Sequence, residues 1–163
     1  MDSSDFRRLI GHWATGVSVV TAHAADGPAG ATANALTSLS LTPPCLLVCF
    51  DVSSRTLHAV RESERFGINI LAVEQEQVSR LFATKRSQEE KFAEVGYRLE
   101  HGVPVLSGCL AWLACGLESE LQRGDHVIAI GNVLGGEIDE SAEPLLFYRS
   151  TYTVLRKGSE ASR

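Results

Sequence analysis

Residues 109–138 read CLAWLACGLESELQRGDHVIAIGNVLGGEI, and this stretch decides the fold class. Two runs rich in apolar residues flank Gly124-Asp125, a dipeptide typical of hairpin turns. The pattern predicts two long, adjacent, antiparallel strands, CLAWLACGLESEL and HVIAIGNVLGGEI. Because apolar residues lie on both faces of these strands, both faces need cover. We therefore predict a closed or partly closed barrel whose outer face meets a partner subunit.

Shorter strands are predicted on either side of this pair. Runs rich in β-branched residues, separated by Gly and Pro, are typical of strands, and close spacing without long helices favours antiparallel pairing. A turn is predicted at residues 26–28. The predicted strands are VSVVTAH (17–23), GATANALTSLS (30–40), CLLVCFD (45–51), FGINILA (66–72) and, after a proline, LLFYRSTYTVL (145–155).

A few helices are expected to cover the strands. Ser3 or Ser4 could cap a helix that ends at Gly16 and acts as a lid on the core, its apolar face formed by Phe6, Leu9, Ile10 and Trp13. Ser53-Ser54 could cap a second helix, RTLHAVRES. Residues 74–95 are charged with helical periodicity, so we expect them to cover one edge of the sheet.

Length and charge exclude several classes of protein. A chain of 163 residues, 44% hydrophobic, suits one compact domain, which we place at residues 1–157 with a polar tail at 158–163. The net charge of −5 gives no reason to bind nucleic acid or an anionic membrane. The N-terminal MDSSDFRR lacks an apolar run after a basic start, so we expect a cytoplasmic protein with no membrane contact.

The four cysteines do not indicate a metal site. Their spacing matches neither a zinc knuckle nor a redox C-x-x-C motif, and their neighbours are apolar. We predict buried, reduced thiols at Cys45, Cys49, Cys109 and Cys115.

The first candidate site is an uncharged stretch of small and hydroxyl-bearing residues. Small side chains let a flat ligand approach the backbone, and short polar groups can satisfy the donors and acceptors along the edge of a flavin ring. The competing interpretation is a strand whose Thr and Ser residues face water. The candidate residues are Thr32, Ala33, Asn34, Ala35, Leu36, Thr37 and Ser38.

The second candidate site is a strand end that turns into a capped helix. Free N–H groups at a helix start, together with hydroxyls and a guanidinium, suit a phosphate. Lys91 and Phe92 could add a cation and an aromatic contact. The competing interpretation is an ordinary capped helix with Arg55 and Lys91 in solvent. The candidate residues at the turn are Asp51, Ser53, Ser54, Arg55 and Thr56.

The third candidate site is the Gly124-Asp125-His126 turn. A histidine at a strand mouth can hydrogen-bond a carboxamide or phosphate, and Asp125 could fix its tautomer. The competing interpretation is a hairpin turn in which His126 is incidental. Among the other histidines, His12 lies beside a segment expected to form a pocket.

Seven blocks, read in order, carry a resemblance to a known family. They resemble the flavin reductase domain of two-component flavin-dependent monooxygenases from about Phe6 to Leu155. The resemblance implies a mainly β, antiparallel Greek-key split barrel with a few covering helices, working as a homodimer with flavin near the subunit interface. The blocks are HWATGVSVVTA, TANALTSLSLTPPCLLVCFD, SSRTLHAVRES, FGINILA, EKFA, GDHVIAIGNV and LLFYRSTY.

The resemblance also implies roles for the candidate residues. It places the flavin ring on residues 32–38 and the flavin phosphate near residues 53–56, with Lys91 and Phe92 closing that end. Ala35-Leu36 and Glu90 depart from the family's usual Ser-Phe and Asp. The nicotinamide would lie at a catalytic His126, with His12, Gly124, Asp125 and Tyr148 nearby.

The reaction implied is hydride transfer from NAD(P)H, with NADH favoured, to FMN or FAD, which the residues do not distinguish. Reduced flavin would reach a partner monooxygenase by diffusion or transient contact. Two other interpretations stay open, a flavin-binding electron carrier without flavin turnover and a related split-barrel flavin oxidase. Residues 103–117 hold no formal charge, which also favours a homodimer.

Overall fold

The computed structural model describes residues 1–155, and the predicted tail at 158–163 lies outside them. The fold is mainly β with few helices, as predicted. The helices are α1 (Ser3–Ile10), α2 (Arg55–Ser63), α3 (Glu76–Phe82) and α4 (Gln88–Ala93), with a 3-10 turn at Val73–Gln75. The strands are β1 (Thr15–Gly16), β2 (Ser18–Ala24), β3 (Gly27–Ala33), β4 (Leu36–Leu41), β5 (Pro44–Asp51), β6 (Arg65–Ile70), β7 (Tyr97–Glu100), β8 (Val103–Leu106), β9 (Ala111–Arg123), β10 (His126–Ile138), β11 (Leu146–Tyr148) and β12 (Thr151–Thr153).

Seven antiparallel strands form the main sheet, in the order β3-β2-β6-β9-β10-β5-β4. β9 and β10 pair along their full length, which confirms the two long strands predicted from residues 109–138. Two register shifts interrupt this ladder, and such bulges bend and twist a strand pair. At the first shift, a Cβ on Gly131 would collide with the Phe66 ring, so this core side chain packs directly against the β10 backbone there.

The core lies on both sides of β2, whose residues 18–22 are all buried. On one side, α2 places Leu57 and Val60 against Phe66 and Ile68 of β6. On the other side, Phe82 of α3 packs in a second cluster together with Val17, Val19, Leu71, Phe92, Leu106 and Leu145. α3 and α4 contact the edge strand β3, so residues 74–95 cover a sheet edge as predicted.

The first helix differs from its prediction. Asp2, rather than Ser3 or Ser4, accepts the N-cap hydrogen bonds, and the helix ends at Gly11, rather than at Gly16. α1 buries no residue, and Trp13 is 73% exposed. The lid prediction is therefore wrong for the single chain, because the apolar face of α1 has no core beneath it.

Three further boundaries differ. The predicted strand 30–40 is broken at Asn34-Ala35, and residues 145–155 form a short hairpin because Arg149 and Ser150 adopt positive φ angles. β3 begins at Gly27, which moves the turn to residues 25–26. β7 and β8 form a hairpin that no pattern in the sequence predicts.

The β7–β8 hairpin removes one reason for predicting a homodimer, the lack of formal charge in residues 103–117. Val103, Val105 and Leu106 are buried within the chain, as are Trp112 and Ala114. Their lack of charge therefore reflects the internal core rather than a subunit surface. No helix within residues 1–155 reaches the length and apolar character that crossing a membrane requires.

Candidate functional site

The first candidate stretch crosses from β3 to β4 at the break between them. Thr32 donates its hydroxyl to the Ser79 carbonyl oxygen at 2.6 Å, so this side chain ties β3 to α3. Ala35 accepts a backbone hydrogen bond from Cys49 at 3.0 Å. The stretch is not one continuous strand, because it breaks at Asn34-Ala35, but Thr37 and Ser38 of β4 are exposed, as the competing interpretation expects. The break adjoins a cavity.

This ring-side cavity has a volume of about 550 Å³. Asn34, Ala35, Leu36 and Thr37 form one wall, beside Leu47 and Cys49 of β5, while α1 and the segment after it form another. Arg7 is the one formally charged residue among the described residues that line it. Such a lining suits a flat, largely apolar ligand with polar atoms along its edge.

One predicted residue lines another cavity, and one residue that was not predicted lines this one. Ser38 lines a separate apolar cavity of about 340 Å³ with Leu41 and Cys45. Thr15, which sequence reasoning missed, lines the ring-side cavity, and its Oγ1 is buried without a hydrogen-bond partner among residues 1–155. No sequence motif marks Thr15 as a ligand contact.

The second candidate site is a tight turn that opens α2. Asp51 Oδ1 accepts from Ser53 N at 2.7 Å and Ser53 Oγ at 2.6 Å, and these bonds hold the pKa of Asp51 below its ordinary value. Ser54 is the N-cap, as predicted, and accepts from Leu57 N at 3.3 Å. The turn therefore presents the start of α2 in a fixed orientation.

Two side chains at this turn have surroundings that the sequence does not indicate. Arg55 donates Nη2 to the carbonyl oxygens of Arg86 at 2.6 Å and Lys85 at 3.4 Å, so it bridges α2 to the loop before α4. Thr56 is 1% exposed, yet its Oγ1 has no hydrogen-bond partner within residues 1–155. A buried hydroxyl without a partner fits an acceptor or donor supplied by a ligand.

Lys91 is 3% exposed, so the interpretation of a solvated lysine is wrong. Its Nζ donates to the Phe82 carbonyl oxygen at 3.1 Å. Burial, and then the charges of Arg55 and Arg86, lower the pKa of Lys91. The neighbouring Phe92 is also buried and meets the ring of Phe82 edge-on at 5.2 Å. A buried amine beside two guanidinium groups favours an anionic ligand.

The third candidate site lies at the same sheet end as the second. His126 is the register partner of Asp51, and Val52 donates to the Asp125 carbonyl oxygen at 3.0 Å. His126 Nδ1 donates to Asp125 Oδ1 at 2.8 Å, which lowers the pKa of Asp125. Because the carboxylate accepts at Nδ1, Nε2 is the ring nitrogen left for a ligand. Asp125 therefore lies in hydrogen-bond contact with His126, as the proposed tautomer role requires.

His12 and Tyr148 form a separate pair. Their rings meet edge-on at 6.1 Å between centroids, and His12 Nδ1 lies 2.9 Å from the Arg8 carbonyl oxygen. Within residues 1–155, no hydrogen bond or ring contact joins either side chain to His126. The structure thus divides the residues predicted for the nicotinamide between two places on one chain.

The cysteines are all free thiols. Cys45 and Cys115 are buried, as predicted, and burial raises the pKa of Cys115 to about 12. Cys49 and Cys109 are half-buried, which corrects the prediction for these two. Residues 1–155 contain no group of three His, Cys, Asp or Glu side chains placed to hold a metal ion.

Comparison with known families decides the family. The flavin reductase like domain matches residues 10–156. The chain belongs to this family. The resemblance stated from the seven sequence blocks is therefore confirmed.

Relatives within the flavin reductase like family carry related names. A Rhizobium meliloti protein named "Probable flavin reductase" is 46% identical over 98% of this chain, which spans 51% of that protein's length. The reductase component of a 4-nitrophenol 4-monooxygenase/4-nitrocatechol 2-monooxygenase from Rhodococcus opacus is 40% identical over 93% of this chain and 80% of that protein.

A solved structure supports the same family. The NADH:FAD oxidoreductase of Streptomyces globisporus, in complex with NAD and FAD fragments, is 31% identical with a TM-score of 0.89. The alignment covers 99% of this chain and 96% of that one. A flavin reductase like domain therefore accounts for nearly the whole described chain.

Proposed function

We propose that this chain is an NAD(P)H-dependent flavin reductase that passes a hydride to FMN or FAD and supplies reduced flavin to a partner monooxygenase. One observation carries the proposal. His126 stands opposite Asp51 in the β5–β10 ladder, so the predicted nicotinamide residue adjoins the predicted phosphate turn. The names of the Rhodococcus and Streptomyces relatives support the same activity.

The residues present fit a flavin. Its phosphate would meet the start of α2, where Ser53, Ser54 and Thr56 offer hydroxyls and Thr56 Oγ1 has no partner among residues 1–155. Arg55 and Lys91 supply cations, and Phe92 closes the site from α4. The ring would lie in the ring-side cavity against residues 34–37.

Bound flavin supplies the hydride acceptor, and the protein supplies position. Residues 34–37 hold the ring by short polar groups and backbone, without formal charge. An uncharged wall binds oxidised and reduced flavin with similar strength, which suits a product that must leave. His126 orients the nicotinamide through Nε2, while Asp125 holds its tautomer. Transfer of a hydride needs no proton at this histidine.

Turnover of free flavin tests the function. We expect NADH oxidation, measured by the loss of NADH absorbance, to depend on added FMN, FAD or riboflavin, because a reductase releases its product. A tightly bound yellow cofactor without turnover would instead indicate an electron carrier. Oxidation of a pyridoxine phosphate would indicate a split-barrel oxidase. NADPH, tested in parallel, decides the donor.

The wider assembly is also proposed. We infer a Greek-key split barrel that works as a homodimer with residues of both subunits at the flavin. The apolar side chains of α1 and of the edge strand β4 support this, because Phe6, Ile10, Trp13 and Leu41 are each more than half exposed in one chain. The second subunit would supply the cover that α1 lacks.

A homodimer is therefore expected in solution. Light scattering at micromolar concentration should give twice the chain mass of 17.6 kDa. Trp13→Ala and Ile10→Glu should shift the mass towards monomer and reduce flavin turnover, whereas Leu155→Glu, near the described end of the chain, serves as a comparison. A monomeric wild type with full flavin turnover would contradict the dimer.

Arg55→Ala should weaken FMN binding by about 1–3 kcal/mol, the range for a lost charge-assisted hydrogen bond. Arg55 also bridges to the carbonyls of Lys85 and Arg86, so the loop before α4 loses an anchor. Fluorescence titration measures the affinity, and turnover at saturating FMN should fall less. Lys85→Ala is the matched control. An unchanged dissociation constant would leave Arg55 with a structural role alone.

A further inference from the structure

A second cavity, of about 390 Å³, adjoins the predicted phosphate turn and shares no lining residue with the ring-side cavity. We call it the hairpin cavity, because the turn between β2 and β3 forms its far wall. Ser53, Ser54 and Arg55 line one end. Its volume lies in the range of about 300–1,000 Å³ typical of small-molecule sites. A single phosphate at the turn would leave most of this space unused.

The hairpin cavity is polar in an ordered way. The end at the α2 start carries positive charge from Arg55 and from the helix N-terminus. The end at the β2–β3 turn carries Asp26, Glu62 and Arg61, and Arg61 is paired with Glu120 of β9 at 2.8 Å. Glu62 is engaged, since its Oε1 accepts from Ala25 N at 2.8 Å and holds the β2–β3 turn against α2. Asp26 is therefore the carboxylate available to a ligand.

Flat groups line the space between these ends. His58 of α2 and Pro28 of β3 contribute an imidazole and a pyrrolidine ring, and Gln88 of α4 contributes an amide. Gln88 is held in place because its Oε1 accepts from Gly30 N at 2.9 Å. A planar heterocycle can stack on such rings, and an amide can hydrogen-bond its edge.

The order of these groups matches an adenosine phosphate. Phosphate suits the positive end, a purine suits the flat walls, and a carboxylate accepts hydrogen bonds from ribose hydroxyls. We propose that the hairpin cavity binds the adenosine monophosphate half of FAD, so that FAD is the preferred flavin of this chain. This inference rests on the proposed flavin reductase function and names its flavin.

NADH carries the same adenosine phosphate group, so the two sources must be separated. FAD is favoured because its second phosphate directly follows the one predicted at Ser53 and Ser54, which form the mouth of the hairpin cavity. FMN ends at that first phosphate and has no adenosine to place against His58 or Asp26.

The test is a comparison of FAD, FMN and riboflavin affinities without nicotinamide, by isothermal titration. We expect wild-type protein to bind FAD at least about tenfold more tightly than FMN. His58→Ala and Asp26→Asn should each weaken FAD binding several-fold and leave the FMN dissociation constant unchanged. Asp5→Asn, an exposed aspartate on α1, is the matched control and should change neither.

Two outcomes overturn the inference. Equal affinities for FAD and FMN would show that the cavity adds nothing to flavin binding. If the variants raise the NADH Michaelis constant with FMN but leave FAD affinity unchanged, the cavity serves the nicotinamide nucleotide. Either result leaves the reductase function intact, because that function fails separately, by absence of flavin-dependent NADH oxidation in wild-type protein.

Discussion

His126→Ala is expected to slow flavin reduction about 100-fold, or to raise the NADH dissociation constant, while flavin affinity stays nearly unchanged. Hydride transfer depends steeply on the distance between the donor carbon of the nicotinamide and the acceptor nitrogen of the flavin, and a displacement of about 1 Å can cost that factor. His126 is half-exposed and fixed by Asp125 at 2.8 Å, so it can orient a ligand without being part of the core.

Stopped-flow reduction at saturating flavin and varied NADH measures the effect, since it separates NADH binding from transfer. Asp125→Asn should give a smaller loss in the same direction, because an amide no longer enforces the Nδ1–H tautomer. Glu118→Gln, an exposed residue further along the neighbouring strand β9, is the control and should behave as wild type.

A wild-type NADH affinity together with a wild-type reduction rate would reduce His126 to a turn residue. The assignment of the nicotinamide site would then pass to His12 and Tyr148, which pair at the other candidate place. His12→Ala with the same measurement distinguishes the two. A change in flavin affinity in His126→Ala, with NADH kinetics intact, would also contradict the proposed role.

The strands were predictable where local pattern and burial agree. β10 spans His126–Ile138, the predicted segment, because a Gly-Asp turn and alternating burial mark its start. α2 begins after Ser54 because capping is a local property. The β7–β8 hairpin was missed, because its burial depends on contacts distant in sequence: Leu106 packs in the same core cluster as Val19 and Leu71.

The candidate site was predictable in composition but not in arrangement. The sequence identifies Lys91 and Arg55 as cations but contains no sign that Lys91 is buried or that Arg55 bonds the carbonyls of residues 85 and 86. Likewise, the juxtaposition of Asp51 and His126 depends on the pairing of β5 with β10. Such pairings join residues about 75 positions apart and leave no local pattern.

Lys91→Met should weaken FMN binding about 10- to 100-fold without weakening the fold. The amine is buried, with the Phe82 carbonyl oxygen at 3.1 Å and the charges of Arg55 and Arg86 nearby. Loss of a charge-assisted hydrogen bond to phosphate is worth about 1.5–3 kcal/mol. Riboflavin, which has no phosphate, should bind wild type and variant equally. Lys85→Met, an exposed lysine in the adjoining loop, is the control.

Although Lys91→Met should weaken FMN binding, it should not lower the free energy of unfolding. Burial lowers the pKa of Lys91 below its ordinary 10.5, so the unfolded chain binds this proton more readily than the folded one. The free energy of unfolding of the wild type therefore rises with pH between the lowered pKa and 10.5. In Lys91→Met this rise should disappear, and at neutral pH the variant should be as stable as wild type or more so.

Chemical denaturation at several pH values, beside FMN and riboflavin titrations, separates a ligand-binding lysine from a structural one. A lysine kept for the fold would give a less stable variant with unchanged FMN affinity, which would contradict the proposal. A lysine kept for phosphate gives the reverse, because folding then carries the cost of a buried amine that ligand binding offsets. The combination of weaker FMN binding, unchanged riboflavin binding and undiminished stability is the result that only the second role predicts.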